Sequence, residues 1–296
     1  MYDVESIILS DRILSDSDFS RLSNFIHDTC GIKMPPIKKT MLEGRLYKRM
    51  RKLGMKSISE YCEYLFSPQG VEHELVHMID VITTNKTDFF REPKHFDYLV
   101  QEALPELISG KRAGIRKQIK IWSAGCSTGE EPYSIAMLLS EYAEKNPEIK
   151  LDYSILATDI STSVLQKGKL AIYDEEKIED IPDDLKKKCL LQSRKREKCL
   201  IRIAPELRES VRFQKLNIID NDFRMNEQMD IIFCRNVFIY FDKTTQEIVL
   251  NRFHQQLNPG GYLFLGHSET LHGFNVNFIQ IEPTIYRKPL DQGNEK

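Results

Sequence analysis

Beyond Thr83 the chain alternates between two periodicities, and this alternation limits the fold more than any other feature. Short runs of β-branched and aromatic residues (Ile119-Lys120-Ile121-Trp122, Tyr153-Ser154-Ile155-Leu156-Ala157, Met229-Asp230-Ile231-Ile232-Phe233-Cys234 and Tyr262-Leu263-Phe264-Leu265) are separated by stretches of helical spacing. Strands joined by helices imply βαβ units, a mostly parallel sheet, and ligand binding at the carboxyl ends of the strands. From about Asp16 to Asp80 the apolar residues recur at helical spacing instead: Phe19, Leu22, Phe25 and Ile26, then Leu42, Leu46 and Met50, then Tyr61, Tyr64 and Leu65. This predicts a bundle of roughly four helices, broken at Gly31 to Pro36, at Gly54 and at Ser67-Pro68-Gln69-Gly70. Between about Tyr173 and Val211 a polar, lysine-rich segment containing Cys199-Leu200-Ile201-Arg202-Ile203 reads as part of a small antiparallel insertion. The expected organisation is an all-α domain over 1–85 and an α/β, Rossmann-like domain over 86–296, with an inserted β-subdomain at about 175–212.

Composition closes off several function classes. A hydrophobic fraction of 41% and a charged fraction of 29% are those of a globular protein. No apolar run approaches the roughly 20 residues that cross a bilayer, and the N-terminus MYDVESIILSDRILSD is acidic where a signal peptide is basic. A cytoplasmic protein without membrane insertion is expected. The six cysteines are scattered, with no C-x-x-C pair and no histidine at zinc-ligand spacing, so free thiols and no metal are expected. A net charge of −2 argues against a polyanion binder. Residues 33–56, however, carry Lys33, Lys38, Lys39, Arg45, Lys48, Arg49, Arg51, Lys52 and Lys56 against the single acid Glu43. Arg45, Lys48, Arg49 and Lys52 share one helix face, which suits an acidic protein partner or nucleic acid, or is simply a solvated face.

The strand ends hold the candidate chemistry. The first strand runs into Ser123-Ala124-Gly125-Cys126-Ser127-Thr128-Gly129-Glu130-Glu131-Pro132-Tyr133, a small-residue turn that would let a ligand approach the backbone. Two glutamates at this turn would repel a pyrophosphate and suit a cationic ligand; Glu131, or else Glu130, would pair with an ammonium group. The alternative is that both acids only favour a helix N-terminus. Asp159 ends the next strand and would accept two ribose hydroxyls, or else N-cap the following helix. Asn217 and Ile218 follow a third strand and suit an adenine edge and face, or an ordinary turn. The fourth tip reads Cys234-Arg235-Asn236-Val237-Phe238-Ile239-Tyr240-Phe241-Asp242 and lacks the [N/D]-P-P-[Y/F] tetrapeptide associated with base methylation, which lowers the nucleic-acid reading.

Five motifs in order, Thr84-Asn85-Lys86-Thr87-Asp88-Phe89-Phe90-Arg91-Glu92, Ser127-Thr128-Gly129-Glu130-Glu131-Pro132-Tyr133-Ser134, Thr158-Asp159-Ile160, Cys234 to Phe241, and Pro259-Gly260-Gly261-Tyr262-Leu263-Phe264-Leu265-Gly266-His267-Ser268-Glu269, span nearly the whole chain. In these it resembles the chemotaxis receptor methyltransferases, the CheR family. The resemblance implies an N-terminal helical domain that docks on receptor helices and a seven-stranded methyltransferase sheet with an inserted β-subdomain. It implies S-adenosylmethionine as cofactor, S-adenosylhomocysteine as product, and receptor glutamates esterified by a monomeric enzyme. By the same resemblance Asn85, Thr87, Arg91, Glu131, Asp159, Asn217, Ile218, Arg235 and Asn236 line the cofactor site, with Arg91 and Tyr240 near the reactive end. A glutamate carboxylate is already ionised at neutral pH, so positioning and partial desolvation, rather than a strong base, would drive the reaction. Arg91 would orient anionic oxygens and Tyr240 would contact the transfer site. The bland alternatives are a surface ion pair of Arg91 with Glu92 or Asp88, and a core role for Tyr240. Some members bind a receptor C-terminal peptide on the β-subdomain by strand addition. Here the turn Gln192 to Lys198 is strongly charged and has no glycine, a departure that also fits a segment covering the sheet edge. An S-adenosylmethionine methyltransferase for RNA or a small acid, and a non-catalytic cofactor sensor, are the competing functions.

Overall fold

The computed structural model describes residues 13–109, 118–193, 200–221, 223, 225 and 227–290. Two compact units emerge. One runs to Thr84 and takes in Tyr240–Asp242; the other comprises Asn85–Ile239 and resumes at Lys243. Among the described residues no helix is long and apolar enough to cross a membrane.

In the helical unit, α1 (Asp16–Cys30) is capped by Ser15, whose Oγ accepts from the Asp18 N–H, and ends at Gly31 in the left-handed region. Helix α2 (Lys39–Lys52) buries Leu42, Leu46 and Met50, one per turn, so a single apolar stripe fixes its orientation. Helices α3 (Ile58–Leu65), α4 (Pro68–His73) and α5 (Leu75–Ile82) follow. The expected break at Ser67 to Gly70 is a junction rather than a loop. Ser67 caps α4 and Pro68 takes the first helical position, where a missing N–H costs nothing. Gly70 lies inside α4 because any Cβ there would stand 1.9 Å from the Tyr64 carbonyl oxygen.

The second unit begins with α6 (Pro93–Tyr98), continues through a π-helical turn (Leu99–Ala103) and ends this stretch with α7 (Leu104–Ser109). Its sheet is built from β1 (Ile119–Ala124), β2 (Tyr153–Asp159), β6 (Val211–Lys215), β7 (Met229–Cys234), β8 (Leu257–Leu265), β9 (Ile279–Glu282) and β10 (Ile285–Arg287), in the order β6-β2-β1-β7-β8-β10-β9. The β6-β2-β1-β7-β8 strands pair parallel, and β10 pairs antiparallel with both β8 and β9. Every residue of β7 is buried, as expected for a strand covered on both faces. Opposite each other across β7 and β8, Phe233 and Phe264 stack at 4.3 Å, while Trp122 of β1 packs edge-on against Phe253 and donates its indole N–H to Thr158 Oγ1 at 2.8 Å.

Helix α8 (Glu130–Lys145) follows β1, α9 (Thr162–Leu170) follows β2, and α12 (Lys243–Gln256) links β7 to β8. The chain builds outward from β1 through β2 to β6, then returns to place β7 on the other side of β1. The strand order therefore reverses at β1, and the carboxyl ends of β1, β2 and β7 flank the switch point, where open α/β sheets bind ligands. Between β2 and β6 lies the insertion: β3 (Ile172–Asp174), α10 (Asp183–Cys189), β4 (Leu190–Gln192), β5 (Leu200–Ile203) and α11 (Pro205–Glu209). Its sheet is antiparallel, in the order β3-β5-β4. Cys199, the charged turn at 194–198 and the tail from Asp291 lie outside the described residues.

Candidate functional site

The turn after β1 hangs on the tip of β2: the Gly125 and Cys126 N–H groups donate to the Thr158 carbonyl at 2.8 and 2.9 Å. The Ser127 N–H donates to Asp159 Oδ2 at 2.9 Å, and Asp159 Oδ1 accepts the Ser161 N–H at 2.9 Å. Ser161, not Asp159, is the N-cap of α9, with its Oγ accepting from Val164. The capping alternative for Asp159 is thus excluded by a residue two positions on. The glycines answer to the protein's own packing. Gly125 has φ +75° and a Cβ there would lie 2.5 Å from Val237 Cγ2, while at Gly129 (φ +97°) it would meet Phe213 and Tyr173 at 3.1 Å. At these two positions Val237, Phe213 and Tyr173 by themselves already require a residue without a Cβ.

Glu131 sits in the first turn of α8, accepts the Ser123 hydroxyl at 2.7 Å and faces Arg235 Nη1 at 3.3 Å. Burial pushes its carboxyl up, against the opposing pull of Arg235. Glu130 is buried too and accepts from Thr128 Oγ1 at 2.6 Å. Arg235 itself is buried at the β7 tip, its Nη2 3.1 Å from Glu92 Oε2, with a further bond to the Arg91 carbonyl and its guanidinium 5.4 Å over the Phe96 ring. Glu92 also accepts from Asn236 Nδ2 at 3.3 Å and from the His267 N–H at 3.4 Å. Burial raises the Glu92 carboxyl, but Arg235 and these donors outweigh it, and the net displacement is downward.

Backbone conformation is costly at this site. Phe90, Glu92, Ser127 and Asn236 all have φ between 49° and 59°. Such residues cost on the order of 1 kcal/mol each and persist only where their surroundings hold them. Asn236 is held by Glu269, whose carboxylate accepts from the N–H groups of Asn236 (2.9 Å) and Gly266 (2.6 Å). Gly266 must be glycine, since a Cβ would stand 2.5 Å from Asn236 Nδ2.

The structure brings Glu131, Asp159, Arg235 and Asn236 to neighbouring strand ends, with Asn85 joined to them because its carbonyl accepts the Ser127 hydroxyl at 3.1 Å. Thr87 accepts Lys177 Nζ at its carbonyl. Asn217 and buried Ile218 follow β6, where Leu216 N–H is tied to the Asp159 carbonyl at 3.1 Å. Arg91 donates to the Lys86 carbonyl at 3.2 Å. The ion pairs of the alternative reading are not formed: Asp88 pairs with Lys177 at 2.8 Å and Glu92 with Arg235. Among the described residues no carboxylate lies within ion-pair distance of Arg91. Tyr240 groups with the helical unit, where its carbonyl accepts the Lys33 N–H at 2.7 Å and Lys38 Nζ lies 5.5 Å over its ring.

The basic face of α2 divides in two, which corrects its reading as a uniform stripe. Arg45 donates to the carbonyls of Ile82 (2.5 Å) and Thr83 (3.0 Å) and to Thr84 Oγ1 (3.1 Å). Arg49 clasps buried Glu74 with Nε and Nη2 at 2.7 and 2.6 Å. Both sit at the border of the Leu42-Leu46-Met50 stripe, where a long side chain reaches inward. Lys48 and Lys52 are exposed. Glu92, Glu269 and Ser127 went unassigned in the sequence because each acts on a neighbour's backbone or charge; the one signal was their place inside the quoted motifs.

The donor set suits a ligand bearing an amine, vicinal hydroxyls and a carboxylate: acids at the tips of β1 and β2, a guanidinium and an amide at the tip of β7. Glutamates in the first turn of α8 disfavour a phosphate there. The family described as "CheR methyltransferase, SAM binding domain" matches residues 85–287, and "CheR methyltransferase, all-alpha domain" matches 17–83. A chemotaxis protein methyltransferase of Borreliella burgdorferi is 41% identical over 275 residues, covering 93% of this chain and 95% of that protein. One from Escherichia coli is 37% identical over 278 residues, covering 94% and 93%. Chemotaxis protein methyltransferase 1 of Pseudomonas aeruginosa is 36% identical over 279 residues, covering 92% and 98%. The sheet, its strand-end residues and these matches together define an S-adenosylmethionine-dependent methyltransferase. The chain belongs to the CheR methyltransferase family.

Proposed function

We propose that this protein, acting as a cytoplasmic monomer, methylates glutamate side chains of chemotaxis receptors, forming glutamyl methyl esters. The observation that carries the reading is the convergence of Glu131, Asp159, Arg235 and Asn236 on neighbouring strand ends at the switch point of the sheet. Bound S-adenosylmethionine supplies an electrophilic methyl group on a sulfonium that leaves readily.

The residues of the chain do the rest by holding. Asp159 accepts ribose hydroxyls, and Asn217 and Ile218 take the adenine edge and face. Glu131 faces the ammonium group, with Arg235 and Asn236 beside it. Asn85 and Thr87 lie on the segment leading to Arg91, whose guanidinium orients anionic oxygens. Tyr240 offers its hydroxyl at the transfer site. Incubation with methyl-labelled cofactor and receptor-bearing membranes tests the whole reading. Label on receptor that alkali releases as methanol is expected; alkali-stable label, or label on RNA, would reject it.

A glutamate carboxyl in water titrates at about pH 4.3, so the acceptor is ionised throughout the neutral range, and no general base takes part. The pH profile of kcat is therefore expected to be flat between about pH 6 and 8; a rise following a single group near pH 7 would contradict this.

Receptor docking rests on the charges of α2 that remain available. Lys48→Glu with Lys52→Glu is expected to lower receptor methylation several-fold at low salt, with a smaller effect as salt rises, and to leave S-adenosylhomocysteine affinity unchanged. Methylation at the wild-type rate would remove docking from this face. In the insertion, Ile172 and Leu191 are exposed on the edge strands β3 and β4, where a receptor C-terminal peptide would add as a further strand.

A further inference from the structure

The molecule also gathers three metal-ligating side chains. Glu92 precedes α6, His95 lies in its first turn and His267 follows β8; one ligand atom from each falls within 4.8 Å of the others. His95 is 2% exposed, and its Nδ1 is buried with no hydrogen-bond partner. Its Nε2 lies 2.8 Å from Thr284 Oγ1, and that hydroxyl donates its only proton to the Pro283 carbonyl at 2.6 Å. Thr284 therefore accepts from Nε2–H, and Nδ1 is left with a lone pair. That lone pair faces Glu92 Oε2 at 3.4 Å, and His267 Nε2 lies 3.9 Å from the same oxygen. Acceptors turned toward one another in this way are reconciled by a cation between them.

The spacing fits a particular kind of cation. With Zn–N and Zn–O bonds of about 2.0–2.2 Å, tetrahedral ligands stand roughly 3.4 Å apart. The His95–Glu92 separation matches this; His267 Nε2 stands 3.9 Å from Glu92 and within 4.8 Å of the His95 ligand atom, and its mostly exposed ring would rotate inward to complete the set. The surrounding hydrogen bonds are those that metal sites use to aim their ligands. Thr284 fixes the His95 ring, while Asn236 Nδ2 and the His267 N–H hold the other carboxylate oxygen, Oε1. Arg235 opposes a cation because its Nη2 sits 3.1 Å from Oε2. Binding must then be reversible, in competition with that ion pair.

We propose that Glu92, His95 and His267 form a reversible site for a borderline divalent cation of the zinc class, with the remaining position open to water. Occupancy draws Glu92 away from Arg235. Where Arg235 serves the cofactor, as in the function proposed above, the cation and the cofactor then weaken each other's binding by the same factor.

Full-length protein freed of metal and titrated with Co²⁺ tests the site directly. One equivalent is expected to give visible bands of nitrogen and oxygen ligation, without the ultraviolet charge-transfer band of a thiolate; all five described cysteines are buried. His267→Ala, at an exposed position, is expected to weaken Co²⁺ binding at least about tenfold. His95→Ala is expected to do the same, with its fold checked by circular dichroism. Absence of a saturable spectrum, equal affinity in His267→Ala, or a thiolate band would overturn the site. Because the readout is metal binding, these results stand whether or not receptor methylation is observed.

Discussion

Arg235→Ala is expected to lower unfolding free energy by about 3–5 kcal/mol and cofactor affinity by at least about tenfold. The reason is geometric. The Arg235 side chain is 3% exposed and stands between Glu92 at 3.1 Å and Glu131 at 3.3 Å. An exposed pair would contribute little, but removing the shared cation here leaves two largely enclosed carboxylates, 9% and 14% exposed, uncompensated. Lysine is a poor substitute, since a point charge on a flexible stem cannot span both acids as the planar guanidinium does. Urea denaturation of Arg235→Ala and Arg235→Lys, alongside calorimetric titration with S-adenosylhomocysteine, checks both effects. A midpoint within experimental error of wild type would show that the three charges are not coupled as described.

A loss of similar size is expected at Glu74→Ala, at the opposite end of the sequence logic. Glu74 is 1% exposed and takes Arg49 through two donors and the buried Tyr61 hydroxyl at 2.9 Å. Alanine would strand a guanidinium and a phenol together, and about 3–5 kcal/mol of stability should disappear. Arg49→Met is expected to cost about as much because it isolates the carboxylate, whereas the Arg49→Met/Glu74→Leu double variant should recover most of the loss. Additive losses in the double variant would rule out a coupled pair.

Glu74 and Arg49 also show where the sequence could be read and where it could not. The stripe Leu42, Leu46 and Met50 is visible in the sequence and buries as its period requires. The four basic residues on the neighbouring face look alike in sequence, yet Arg45 and Arg49 turn inward while Lys48 and Lys52 do not. The difference depends on the Ile82–Thr83 carbonyls and on Glu74, all of them distant in the chain. The same holds in the α/β unit. The strands over 119–124, 153–159 and 229–234 follow runs of β-branched residues, and their tips place Glu131, Asp159, Arg235 and Asn236 where strand-end logic points. The roles of Glu92 and Glu269 have no local signature in the sequence, because each acid acts by fixing another residue. His95 and His267 are too far apart in sequence to suggest a common site, and only the meeting of the α6 start with the β8 end joins them.

Everything proposed for the site turns on the ends of β1, β2 and β7 holding an adenosine-bearing methyl donor, with Asp159 as the ribose acceptor. Titration calorimetry of the purified protein with S-adenosylhomocysteine, for wild type and for Asp159→Asn, reads this out. One site is expected in wild type and an affinity roughly 10- to 100-fold lower in the variant, from the loss of charge-assisted hydrogen bonds, beside an unfolding midpoint that reports separately on the Ser127 and Ser161 contacts. No heat of binding in wild type, or equal affinity in Asp159→Asn, would refute the assignment.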